Sequence, residues 1–148
     1  MEVNTPLIEA KALKKYFKLG ENRYLHAVDN INLQIYKGTT VGIVGESGCG
    51  KRTFGRTLLR LTEATSGEIL YCGENILTFG RQKMKQMRKN MQIIFQDPYA
   101  SVDPRKSVVE IIAEYMLIHH TYPTRREIFN RAAQLMDIVG LARRTANS

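Results

Sequence analysis

The chain has 148 residues, 43% hydrophobic and 24% charged, with no tryptophan, which suits one ordinary globular unit and excludes a long polar tract. Its two cysteines, Cys49 and Cys72, are too few and too unpatterned for a disulfide framework or a zinc site, and a reducing compartment is the simplest setting. No apolar run reaches the roughly 20 residues a bilayer requires, so any membrane association is expected to be peripheral.

In chain order, strands are predicted near Leu7–Lys14 and Ala27–Tyr36. Thr39-Thr40-Val41-Gly42-Ile43-Val44 is short, apolar and β-branched, and reads as a buried strand. It runs into Gly45-Glu46-Ser47-Gly48-Cys49-Gly50-Lys51-Arg52-Thr53, which satisfies G-x-x-x-x-G-K. A helix is predicted to leave this loop over Lys51–Thr62. Strand, glycine loop and helix is the order a phosphate-binding loop needs. Gly45, Gly48 and Gly50 permit positive φ and close backbone approach, so successive N–H groups can converge on phosphate oxygens at a helix N-terminus. Lys51 would then reach the outer phosphates as a point charge.

The position after the lysine, where Ser or Thr would put a hydroxyl on Mg²⁺, holds Arg52. A guanidinium cannot ligate a cation, and Thr53 points about 100° further round the helix, so it cannot stand in for the lost ligand. Thr53 can keep a phosphate contact, and Arg52 can itself bind phosphate. Metal-poor, weakened nucleotide binding is expected.

A strand is predicted at Gly67–Cys72 and another at Met91–Phe95, the second ending at Gln96. Beyond it the chain reads as helical. Ser107-x-x-Glu110 and Thr124-x-x-Glu127 are capping-box patterns; the second opens an amphipathic run of Ile128, Phe129, Ala132, Leu135, Met136 and Val139, and Gly140 is a natural stop. The formal charge of +8 is carried by clusters at Arg81–Lys89, Arg125-Arg126 and Arg143-Arg144. These lack aromatic interleaving, so they read as solvated helix faces and no nucleic-acid partner is expected. His26, His119 and His120 read as surface histidines.

Three separated motifs, Val44 to Lys51, Thr65-Ser66-Gly67-Glu68-Ile69 and Met91-Gln92-Ile93-Ile94-Phe95-Gln96-Asp97-Pro98-Tyr99-Ala100-Ser101, resemble in order the ATP-binding subunits of ABC transporters. Within them the chain looks most like the oligopeptide/dipeptide importer branch, with the match running from about Leu7 to Leu141. The resemblance implies an α/β P-loop NTPase fold of ABC type, represented by its N-terminal half. Residues 1–96 would be the first part of the ATP-binding core and 97–148 the start of the helical subdomain. It implies ATP as ligand, with Tyr16, or alternatively Phe17, stacking on adenine, Gly45 to Thr53 on the phosphates, and Gln96 as the Q-loop residue that contacts Mg²⁺ and couples nucleotide to transport. Implied partners are transmembrane permease subunits and a second ATP-binding subunit, on the cytoplasmic face of the membrane. Asp103 departs from the asparagine common in the branch.

In that family the signature sequence, Walker B strand, D-loop and switch histidine should lie beyond Val139-Gly140-Leu141. Hydrolysis by this stretch alone is therefore not expected, because phosphoryl transfer depends on such positioning and charge. Core strands covered on both faces would lose neighbours, so a marginal or aggregation-prone chain is expected. A non-catalytic docking module is the alternative function. A small P-loop kinase fits poorly, since no acceptor-site motif is present.

Overall fold

The computed structural model describes residues 5–96 and 102–141. The chain forms two compact units, Met1–Met91 and Gln92–Ser148.

The first unit is built on a four-stranded antiparallel sheet of β1 (Ile8–Lys18), β2 (Tyr24–Ile35), β3 (Ser66–Tyr71) and β4 (Glu74–Asn75), ordered β2-β1-β3-β4. Strict alternation from Ala10 would bury Ala12 and Lys14. Instead the register shifts between Ala10 and Leu13, with Ala12 at φ 44°, so Ala10 and Leu13 both face the core. The bulge is satisfied where the Ala12 N–H donates to Asn32 Oδ1 at 2.8 Å. Gly67 of β3 crosses this point at φ 95°, where a Cβ would lie 2.5 Å from the Ala12 carbonyl oxygen; glycine lets β3 approach.

Helix α1 (Lys51–Leu58) lies on this sheet through Phe54 and Leu58, which join Leu13, Val28 and Ile69 in one buried cluster. Buried Thr57 donates its hydroxyl to the Thr53 carbonyl at 2.8 Å. A 3₁₀ turn (Ile76–Thr78) and α2 (Arg81–Met87) close the cluster with Ile76, Met84 and Met87. The basic side chains of α2 stay exposed while its two methionines turn inward, the solvated face expected from the Arg81–Lys89 cluster.

Two predicted strands are absent. Residues 39–46 carry no regular secondary structure and Val44 is 93% exposed; residues 91–95 likewise form no strand, with Ile94 97% exposed. A β-branched segment becomes a strand only when another strand satisfies its backbone. No described residue pairs with either stretch.

The second unit pairs α3 (Val108–His119) with α4 (Arg125–Ile138) around Ala113, Met116, Ile128 and Ala132. Both capping boxes form: the Ser107 N–H donates to Glu110 Oε2 at 2.8 Å, and Glu127 N–H donates to Thr124 Oγ1 at 3.3 Å. The bond from the Ser107 backbone holds the Glu110 carboxyl below its ordinary pKa. Of the expected apolar stripe, Ile128, Ala132 and Met136 are buried, whereas Val139 falls past the helix end and is exposed. Gly140, at φ 76°, ends α4, and the Leu141 N–H closes back on the Met136 carbonyl at 2.9 Å.

Candidate nucleotide-binding site

The glycine loop joins the extended segment 39–44 to the N-terminus of α1. Gly45, Gly48 and Gly50 adopt φ of 157°, 80° and 93°, the positive values expected from the motif. Gly50 is the N-cap of α1, and its carbonyl accepts the first helical bond from Phe54 N–H at 2.8 Å. Between them, Glu46, Ser47 and Cys49 lie exposed, with Cys49 N–H donating to the Glu46 carbonyl at 3.3 Å.

Lys51 holds the loop in shape. Its Nζ donates to the carbonyls of Gly45 at 2.7 Å and Glu46 at 2.6 Å, and lies 3.5 Å from Cys49 Sγ. The ammonium is thus drawn over the loop rather than extended into solvent. The first turn of α1 contains no acidic residue, and Lys51 and exposed Arg52 both stand there, at the positive end of the helix dipole. Two cations at that end are unfavourable by about 0.3–1 kcal/mol each, and an anion relieves the repulsion.

Beside the loop lies a groove of about 550 Å³ lined by β2 residues from His26 to Leu33, by Val41 to Val44, and by Cys49, Gly50, Lys51 and Phe54. Its lining is mainly apolar, with Lys51 at the loop end and His26 and Asp29 on β2. At the β2 margin, Tyr16 and His26 face each other across the β1–β2 ladder. Their rings stack at 3.9 Å with an interplanar angle of 10°. Tyr16 Oη donates to Asp29 Oδ1 at 2.5 Å, while Lys14 Nζ and His26 Nδ1 each lie 3.8 Å from the same carboxylate. The Tyr16 bond, helped by Lys14 and His26, keeps the Asp29 carboxyl below its ordinary pKa, and the same bond to Asp29 pushes the Tyr16 phenol up.

The loop residues predicted from sequence therefore come together, and Lys51 is central. Tyr16 lies against His26 and is not among the groove-lining residues; Phe17 is directly opposite Leu25, with Lys15 Nζ 4.8 Å from its ring centroid. Gln96 is exposed and belongs to the second unit. The sequence reads His26 only as a surface histidine and does not single out Asp29. Their signal is the β1–β2 register, which spacing alone does not supply.

The loop fits the phosphates of a nucleotide through its positive-φ glycines, its lysine and the helix end. At the position after the lysine, Arg52 offers N–H donors and no lone pair, so this side chain supplies no ligand for a magnesium ion.

Residues 28–148 match the sequence profile of the family described as ABC transporter. The chain belongs to the ABC transporter family. Among its relatives, the oligopeptide transport ATP-binding protein OppF of Bacillus subtilis (strain 168) is 47% identical over 142 residues, covering 95% of this chain and 46% of that protein. OppF of Salmonella typhimurium (strain LT2) is 38% identical, covering 95% of this chain and 45% of its own length. The dipeptide transport ATP-binding protein DppF of Haemophilus influenzae is 39% identical, covering 93% and 43%. The chain thus spans less than half the length of these relatives.

The ABC α/β architecture is matched by solved cassettes. The dimeric structure of MJ0796, a bacterial ABC transporter cassette, superposes with a TM-score of 0.76 at 25% identity, covering 94% of this chain and 60% of that one. A post-hydrolysis state of the same cassette, bound to ADP and Pi, matches equally well in TM-score at 24% identity. The incomplete coverage agrees with the partial ABC domain expected from the motifs.

Proposed function

We propose that this chain is the nucleotide-binding portion of an ATP-binding subunit that serves an oligopeptide or dipeptide importer. One observation carries the reading: Lys51 Nζ is drawn over a positive-φ glycine loop at the N-terminus of α1, beside an apolar groove. Residues 1–96 form the phosphate-loop part and 97–148 begin the helical subdomain. ATP places its phosphates on the backbone of Gly45 to Lys51 and on Thr53, with Tyr16, or alternatively Phe17, at the end of β1 as the aromatic candidate for its base. Lys51 exchanges loop carbonyls for phosphate oxygens. Arg52 offsets phosphate charge in place of a metal ligand.

Partners follow from the same reading: transmembrane permease subunits and a second ATP-binding subunit, met at the cytoplasmic face of the membrane. Among the described residues no helix is long and apolar enough to cross a membrane.

A second reading, a docking module without hydrolysis, draws on Arg52 and on the second unit. There Ile93, Phe95, Val102, Ile111, Tyr115 and Ile118 line an apolar groove of about 630 Å³. Equilibrium binding of labelled ATP to the chain and to Lys51→Ala separates the two. Binding that is lost in Lys51→Ala supports the nucleotide-binding reading. No binding by a folded, monodisperse chain, with retained capture by permease subunits, supports the docking module.

A further inference from the structure

Pairing between β1 and β3 ends at Lys14, opposite Ser66, whereas β1 stays paired with β2 as far as Lys18, opposite Tyr24. The last part of the hairpin therefore leaves the sheet as a two-stranded ribbon. Thr65 ties its root, where Thr65 Oγ1 accepts from the Tyr16 N–H at 2.8 Å. At its tip the Leu19 N–H donates to the Arg23 carbonyl at 2.8 Å. This end of the ribbon is apolar and uncovered: Leu19 is 62% exposed, Tyr24 54% and Leu25 51%. Tyr24 and Leu25 belong to a formed ladder, unlike the exposed segments 39–44 and 91–95, so a missing strand partner does not explain their exposure. Directly opposite residues share a face, which sets Leu25 beside Phe17 and Tyr24 beside Lys18. Lys18 and Arg23 are exposed and enter no ion pair among the described residues. Glu21 is the one acidic residue between Lys15 and Leu25.

We propose that the end of the β1–β2 hairpin is a lipid-contacting element that rests in the headgroup layer of an anionic bilayer. Leu19 and Leu25 enter the boundary between headgroups and acyl chains, the Tyr24 ring sits at headgroup level, and Lys18 and Arg23 meet lipid phosphates. Charge decides the occupant. An apolar protein surface would cover the leucines while desolvating Lys18 and Arg23 with no counter-charge. A second copy of the chain would bring like charges together, since each carries a formal +8. A headgroup layer accepts both kinds of side chain, because long basic residues keep their charged ends in the polar region while their stems lie along apolar surface. A patch this small binds shallowly and reversibly, and its electrostatic part weakens with salt. The element is distinct from the phosphate loop and does not depend on the nucleotide-binding reading.

The sequence has no tryptophan, so Leu19→Trp carries a single reporter at the tip. The test is a fluorescence titration of the full chain with vesicles of phosphatidylcholine alone and of phosphatidylcholine and phosphatidylglycerol in equal parts. With the anionic vesicles the Leu19→Trp emission should shift to the blue and be quenched by bromine-labelled acyl chains. Adding Lys18→Gln and Arg23→Gln should weaken that partitioning roughly 30-fold, as should be expected for the loss of two basic contacts. Ile138→Trp, at a position 72% exposed in the second unit, should keep its emission unchanged. Tyr24→Trp carries the reporter if Leu19→Trp does not fold. No blue shift with anionic vesicles, equal binding to both kinds of vesicle, or binding that survives the double substitution would overturn the proposal. So would a blue-shifted Leu19→Trp emission before any lipid is added, together with a dimer in ultracentrifugation, which would identify a second copy as the occupant.

Discussion

The α-carbon of Gly50 sits against the backbone of Ala27: a Cβ built on Gly50 would lie 2.0 Å from the Ala27 carbonyl oxygen. This contact locks the phosphate loop to β2 and so fixes where α1 begins. Gly50 is also at φ 93°, outside the range other residues adopt without strain. Gly50→Ala should therefore destabilise the chain by about 1–3 kcal/mol or displace the loop, seen as a lower Tm and weaker ATP binding. Unchanged values of both would mean the loop is not held as described.

Asp29 makes a pH prediction. Its folded pKa is depressed, chiefly by the Tyr16 hydrogen bond and then by Lys14 and His26, so the stability it contributes is present above the unfolded carboxylate pKa and is lost as pH falls through the folded value. Asp29→Asn should lower Tm at neutral pH, and the difference from the parent chain should shrink once pH drops below the ordinary aspartate range near about 3.9. Thermal melts from pH 7 to 2.5 would record it; a difference independent of pH would contradict the role of its charge.

Helix α4 depends on its cap. Thr124→Ala removes the acceptor for the Glu127 N–H and should cost about 1 kcal/mol. Chemical denaturation reads this directly, and Thr124→Ser should retain most of the stability.

Burial separates two isoleucines that look alike in sequence. Ile69 is fully buried, and Ile69→Ala should cost about 2–5 kcal/mol. Ile94 is almost wholly exposed, and Ile94→Ala should stay within about 0.5 kcal/mol. An equal loss at both positions would mean that the 91–95 segment is packed in solution.

The glycine loop was legible because it is local: glycine spacing, lysine and the start of the following helix lie within Gly45 to Thr53. The capping boxes at Ser107 and Thr124 were legible for the same reason, since a three-residue spacing sets the contact. The strands at 39–44 and 91–95 were overread because β-branched residues state a preference that only a pairing strand fulfils. The His26–Tyr16–Asp29 cluster stayed hidden because it joins β1 to β2 across a register with bulges, and no spacing along the chain encodes that register. His26 read as a surface histidine, and it is exposed, but on the wall of the groove.

In the proposed function the phosphate loop retains its anion site while Arg52 removes the metal ligand. Titrating monodisperse chain and its Arg52→Ser variant with labelled ATP, in Mg²⁺ and in chelator, tests this most directly. The account predicts that the chain binds ATP alike in both conditions and that Arg52→Ser gains affinity when Mg²⁺ is present. Failure of both folded proteins to bind ATP in either condition would contradict it.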